Sequence, residues 1–333
     1  VPGIMERTFR LIGRRLAGAV PVLLLVAIGT FLLLEMAPGD AVDAYLAGTG
    51  GADAARIEQL RAAWGLDAGP LQRALAYAAA LASGNLGWSV AFERPVLDVL
   101  LERLPNTLVL MGLATALAFA LGSALGIIAG ARPGSARDRA LSFASVAIYA
   151  VPGFWLGLVL IIVFAVDLHW LPIGGMETIA SGYSGVARLL DIGRHLILPV
   201  ASLGLVYLAL YLRLMRDGMA ELWREDYVLA ARAHGIAGWR LVLRHVARNA
   251  LLPVIAMLGL QSASMLGGSV VIESVFAVPG LGRLAQEAVG RRDMPLLLGI
   301  VLLSAALVIV INLLTDIAYA ALDPRVGSTG RAA

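Results

Sequence analysis

The four histidines, His169, His195, His234 and His245, lack the spacing of an HExxH metal helix, and each reads as a solvated or capping residue. The chain has no cysteine, which excludes disulfides and thiolate metal sites. It also has no lysine, so all 26 basic residues are arginine. A phosphate-binding loop of the Walker type needs a lysine to reach the β- and γ-phosphates. Schiff-base catalysis needs a lysine amine. This chain can supply neither, so any ATP hydrolysis linked to it must occur in another chain. No Ser/His/Asp arrangement is evident in the order of residues.

The most informative stretch runs from Asp226 to Pro253, DYVLAARAHGIAGWRLVLRHVARNALLP. Tyr227, Ala230, Ala231 and His234 fall at i, i+3, i+4 and i+7, on one face of a helix. Two of them are alanines, so another surface can approach that backbone closely. Gly235 follows as a residue suited to a left-handed helix end. Beyond it, Trp239, Leu243 and Val246 form an apolar stripe, with Arg240, Arg244 and Arg248 recurring every four residues. The pattern predicts an amphipathic helix along a membrane surface. An ordinary basic loop at the edge of a membrane would show much the same arginines.

The surrounding elements predict a membrane protein. Of 333 residues, 59% are hydrophobic and 15% charged, against about a quarter charged in soluble domains; mean hydropathy is +0.84. Apolar runs fall near residues 16–36, 107–129, 140–166, 196–214, 251–272 and 295–322. Several reach the ~20 residues that a spanning helix needs, giving six expected spans. Arg7, Arg10, Arg14 and Arg15 precede the first run, which exceeds the 7–15 residues of a signal-peptide core. The reading is an uncleaved first helix with a cytoplasmic N-terminus over residues 1–36. Residues 37–104 form a more polar external insertion, with helices expected at 53–64 and 71–81. Residues 105–322 hold spans two to six. The arginine-rich short loops at 132–139 and within 215–250, and the tail at 323–333, belong inside by the positive-inside rule. These arginines also account for the pI near 9.5 without any nucleic-acid partner. No internal repeat or low-complexity stretch is visible.

Span five carries polar residues of its own. At ~100° per residue, Gln261, Ser264, Met265, Gly268 and Ile272 share a face suited to line a translocation path. Hydrogen bonds from Gln261 and Ser264 to neighbouring helices would produce the same pattern. Gly259, Ala263 and Gly267 lie roughly opposite at small-xxx-small spacing, which predicts a packing face. Ionisable groups are costly at the bilayer centre, so Glu35, Glu273 and Asp316 are expected near span ends, meeting water or arginine. No chain of buried carboxylates suggests a proton relay.

The stretch ARAHG…LRHVARNALLP resembles the cytoplasmic "EAA" loop of permease subunits of bacterial binding-protein-dependent ABC importers, in the dipeptide/oligopeptide/nickel branch. Leu229 stands where many members have glutamate. LGGSVVIESVFAVPGLGRL, NLLTDIAYAALDPR, IEQLRAAWGLD, GNLGWSV and RPVLDVLLERLPNTL resemble further signatures of that branch, so the likeness covers nearly the whole chain. It implies an all-α, six-span permease of the type I importer fold in the bacterial inner membrane. It implies a homologous second permease subunit, two ATPase subunits or domains that bind ATP and Mg, and an external solute-binding protein. No cofactor is expected in this chain itself. It also implies that Asp226, Tyr227, Ala230, Ala231, Ala233 and Gly235 contact the ATPase through a coupling helix.

Two other readings stand beside it. One is a secondary transporter or channel acting without an ATPase. The other is a membrane-embedded enzyme with a site drawn from distant spans. The solute within the peptide-like class is not legible in the residues.

Overall fold

The computed structural model describes residues 4–36, residue 58 and residues 68–322. The helix expected at 53–64 lies, apart from Glu58, outside the described residues, as does the tail at 323–333. Among the described residues the chain forms two compact units, one built on Asn106–Val278 with residues 310–322, the other drawn from Phe9–Pro105 with Pro279–Ile309.

In the second unit, α1 (Ile4–Glu35) carries its apolar stretch at Ala17–Leu33. Glu35 pairs with Arg73 of α2 (Pro70–Ala82), so it meets an arginine as its position predicts, and Phe31 stacks on Tyr77 with ring centroids 6.1 Å apart. Pro70 opens α2 where a missing N–H costs nothing. A two-residue antiparallel pair then joins β1 (Trp88–Ser89) to β2 (Arg94–Pro95), a small addition to the expected all-helical fold. Asp293, almost fully buried, accepts hydrogen bonds from the Ser89 hydroxyl at 2.6 Å and the Ala91 N–H at 2.9 Å. Its other oxygen accepts from the Leu296 N–H at 3.1 Å, at the start of α11 (Met294–Leu322). One carboxylate thereby fastens the hairpin to α11. Val96, Leu100, Leu281, Leu284 and Leu296 form the apolar core beneath, with Leu281 and Leu284 supplied by α10 (Leu281–Gly290).

Long helices dominate the first unit. α3 (Val96–Gly130) runs into it from the hairpin, and α6 (Gly185–Leu222) is 38 residues long. Three glycines on α3 set their approach. A Cβ on Gly122 would lie 2.8 Å from Tyr211 Cβ, one on Gly126 2.6 Å from Met215 Cβ, and one on Gly130 2.8 Å from Met219 Cβ. Numbers rise together on both helices, so α3 and α6 run parallel. Lipid tails are as apolar as side chains, so close backbone approach supplies the van der Waals attraction that holds such helices together.

Four stretches are long and apolar enough to cross a bilayer: Val96–Gly130, Gly185–Leu222, Gly238–Val275 and Met294–Ile317. A fifth candidate is broken. The run expected as one span at 140–166 is α4 (Ala136–Tyr149) and α5 (Gly153–Leu160), bent by 98° and continued by a π-helical turn at Ile161–Asp167. Pro152 explains the break, because it has no N–H to offer and disfavours helical backbone in the residue before it. The protein is thus an all-helical polytopic membrane fold with four to five long apolar helices among the described residues. Between α5 and α6, Thr178 donates two hydrogen bonds to Asp191 (2.7 and 2.8 Å), and Arg188 donates two to Glu177 (2.6 and 3.2 Å). Hydrogen bonding from Arg188 holds the Glu177 carboxyl below the usual carboxylate range.

Candidate functional site: the loop between two long helices

α6 ends at Leu222, and a short turn leads into α7 (Asp226–Ala233). Gly235 follows with φ +79°, the left-handed turn its position predicts, and opens space on every side. A Cβ-bearing residue is strained in that conformation. α8 (Gly238–Leu241), a π-helical stretch at Val242–Ala247 and α9 (Arg248–Val275) then form one continuous helical run. The amphipathic helix expected after Gly235 is therefore the start of the long helix Gly238–Val275. Its buried stripe also differs from the expected one. Leu241, Val242 and Val246 are buried, while Trp239 and Leu243 are 56% and 55% exposed.

α7 presents two different sides. Val228 and Ala231 pack into the core formed with Met215, Met219, Leu241 and Val246. Asp226, Tyr227, Ala230, Ala233 and Gly235 are exposed. Of the small residues expected to face a partner, Ala231 thus faces the chain's own interior. Tyr227 lies back along the next helix, where its hydroxyl donates to the His245 carbonyl at 3.3 Å and accepts from Asn249 at 3.0 Å. His234 hydrogen-bonds through Nδ1 to the Ala230 carbonyl at 2.7 Å, a capping role.

The loop is anchored by groups that the sequence reading passed over. Trp223 donates its indole N–H to the Gly130 carbonyl at 2.7 Å, and the Arg232 guanidinium lies over the Trp223 ring at 4.8 Å. Arg216 donates two 2.8 Å hydrogen bonds to the buried Asp138 carboxylate, which also accepts from the Gly134 N–H at 2.8 Å. Ser135 caps α4 by accepting from the Asp138 N–H at 3.2 Å. The end of α3, the start of α4, the end of α6 and α7 are thereby clamped together. The four-residue spacing of Gly122, Gly126 and Gly130 is a sequence signal that the reading above did not use, whereas the Asp138–Arg216 pair, 78 positions apart, carries no local signal.

On α9 the five residues proposed as one face straddle a boundary. Met265 and Ile272 are buried, Gln261 and Gly268 are half-buried, and Ser264 is exposed, its hydroxyl donating to Leu260 at 3.2 Å. The Thr115 hydroxyl donates to Met265 Sδ at 3.2 Å, and a Cβ on Gly268 would touch the Tyr207 hydroxyl at 3.5 Å. Of the opposite glycines, Gly259 packs tightly, with Thr315 at 2.7 Å from a built Cβ, while Gly267 has no neighbour within 4 Å. Glu273 is fully buried and accepts a hydrogen bond from the Thr107 hydroxyl at 2.8 Å. Among the described residues no group of three or more His, Asp or Glu is placed to hold a metal ion.

Residues 122–328 match the family model described as "Binding-protein-dependent transport system inner membrane component". The chain belongs to that family. This inner-membrane component is 37% identical over 314 residues to the oligopeptide transport system permease protein AppB of Bacillus subtilis, covering 94% of this chain and 98% of that one. It is 38% identical over 331 residues to the di/tripeptide transport system permease protein DppB of Pseudomonas aeruginosa, covering 95% and 98%. It also shares a fold with a chain of the MetNI methionine ABC transporter solved in inward-facing conformations. There the TM-score is 0.55 at 17% identity, over 68% of this chain and 97% of that one. The family match takes in the whole anchored loop and α9, so the geometry above belongs to a component of a transport system.

Proposed function

We propose that the chain is the permease subunit of an ATP-driven importer and forms half of the path by which peptides, or a related small solute, cross the inner membrane. Likeness to the oligopeptide and di/tripeptide permeases over nearly their full lengths supports the substrate class. The observation that carries the mechanism is α7. It is a short helix locked to the ends of three longer ones by Trp223, Asp138 and Arg216, with Asp226, Tyr227, Ala230, Ala233 and Gly235 left exposed. A helix so held can pass a push from an ATPase subunit to the spans without absorbing it. Ala231 serves this coupling from behind, by seating α7 on the core.

The full reading has six spans of the type I importer fold, with α1 as the first and the bent α4–α5 pair as one crossing. The parallel run of α3 and α6 favours this count, because the chain must return between them. Both termini and the 215–250 loop are cytoplasmic, and residues 37–104 form the external insertion. A homologous second permease subunit, two ATPase subunits and an external solute-binding protein complete the assembly. ATP and Mg bind in the ATPase subunits. The solute path follows the Gln261, Ser264 and Gly268 edge of α9, backed by Met265 and Ile272. Nucleotide binding biases alternating access between two states. Reconstitution into proteoliposomes with the ATPase and binding-protein partners tests this reading. Peptide-stimulated ATP hydrolysis with peptide uptake is the expected result; uptake driven by an ion gradient without ATP would replace it with a secondary transporter.

A further inference from the structure

Beside the anchored loop lies an open cavity of about 710 Å³, within the size range of small-molecule sites. Its walls include Arg132, Arg137 and Arg232, the rings of Trp223 and Trp239, and Ile128. None of the three arginines has a carboxylate partner among the described residues. The buried acid beside them, Asp138, is already committed to Arg216 at 2.8 Å. Three uncompensated guanidiniums facing one cavity form a site for an anion, and the guanidinium fork suits phosphate in particular.

The apolar surroundings narrow the ligand further. Ile128, 41% exposed, ends a stripe on α3 that includes the exposed Leu113 and Leu121. Trp239 and Leu243 are exposed where the long helix Gly238–Val275 begins. Tryptophan is characteristic of the membrane–water boundary. A soluble anion would have no use for an apolar track leading into its site, whereas a lipid uses both parts.

We infer that this cavity binds the phosphate headgroup of an anionic phospholipid of the cytoplasmic leaflet, with the acyl chains along the Leu113–Leu121–Ile128 stripe. The leaflet rests on the proposed topology; the binding does not. Since Arg232 and Gly235 flank the end of α7, the bound headgroup braces the coupling segment from the membrane side.

The test is equilibrium binding of short-chain phosphatidylglycerol to the purified full chain in neutral detergent. Phosphatidylcholine of the same chain length and inorganic phosphate form the other arms. Two triple variants are compared: Arg132→Gln/Arg137→Gln/Arg232→Gln in the cavity and Arg139→Gln/Arg213→Gln/Arg248→Gln outside it, with equal change of charge. The expected result is tighter binding of phosphatidylglycerol than of phosphatidylcholine, weakened about tenfold or more by the cavity triple and much less by the other. Equal binding of the two lipids, or equal loss in both triples, overturns the site. Phosphate binding as tight as the lipid's makes it a soluble-anion site instead. If the lipid does not bind and the cavity triple loses co-purifying ATPase, the cavity is a protein-docking surface and the lipid inference is wrong.

Discussion

At the scale of single residues, Gly235 and the adjacent alanines Ala230 and Ala231 of α7 divide the work. Gly235 holds φ +79° with open space where a Cβ would sit, so within the chain itself a substitution there acts through backbone strain. Gly235→Val should cost on the order of 1 kcal/mol or more and lower ATP-driven uptake, while Gly235→Asn, which tolerates that conformation, should keep most of it. Equal uptake by both variants and the wild type, measured in proteoliposomes at matched insertion, would remove the coupling role of this turn. Ala230 and Ala231 are adjacent in sequence and opposite in consequence. Ala230→Arg should weaken ATPase co-purification from a chain that folds normally, because Ala230 is exposed. Ala231→Arg should instead lower the chain's own thermal stability, because that position is buried at 8% exposure. Helical periodicity placed both alanines on one broad face. Which edge of that face turned inward depended on Met215, Met219 and Val246, which no local pattern connects to them.

Among the elements, α3 and α6 are joined by the glycine groove, and α4 and α6 by a buried ion pair. Gly126→Leu would drive a side chain into Met215 and the Leu212 carbonyl, 2.6 and 2.7 Å from its Cβ, and should reduce folded yield sharply. Gly267→Leu on α9, with no neighbour, should leave the isolated chain's thermal unfolding unchanged. A similar loss for both would show that residue size, and not the groove, controls folding. Arg216→Met strands the Asp138 carboxylate, which is 2% exposed. Breaking a buried pair costs roughly 3–5 kcal/mol, less here because Arg216 is 29% exposed. The double variant Asp138→Leu/Arg216→Met should recover part of that loss in a thermal unfolding series in detergent. Apolar runs in the sequence located these helices well. The break at Pro152 was harder to read, because a proline inside a membrane helix often only kinks it; Pro199 lies within the unbroken α6. The resemblance to importer permeases was legible along most of the chain. The buried Asp138–Arg216 clamp behind the loop was not, since its partners meet only through the fold.

For the whole molecule, the arrangement sets two expectations. Cysteines introduced by Ser83→Cys and Ser135→Cys into this cysteine-free chain should react with an impermeant thiol reagent only at position 83 in intact cells. Labelling at 135 and not at 83 would invert the proposed topology. The purified chain alone should also show no ATP hydrolysis, because it has no lysine for a Walker loop. Sustained hydrolysis by a preparation free of other proteins would contradict this.

The contact between α3 and α6 has a further consequence. Gly122, Gly126 and Gly130 recur every four residues, and so do Tyr211, Met215 and Met219, the fully buried knobs that fill them. Two combs of equal pitch mesh in more than one register. If α6 slides by one tooth, about 6 Å at 1.5 Å per residue, two of the three knobs drop into the neighbouring notch and only one loses its seat. Intermediate positions push a methionine against helix backbone. The pair therefore resists small sliding displacements, and the Trp223–Gly130 and Arg216–Asp138 bonds at its end select one notch among those the combs would accept.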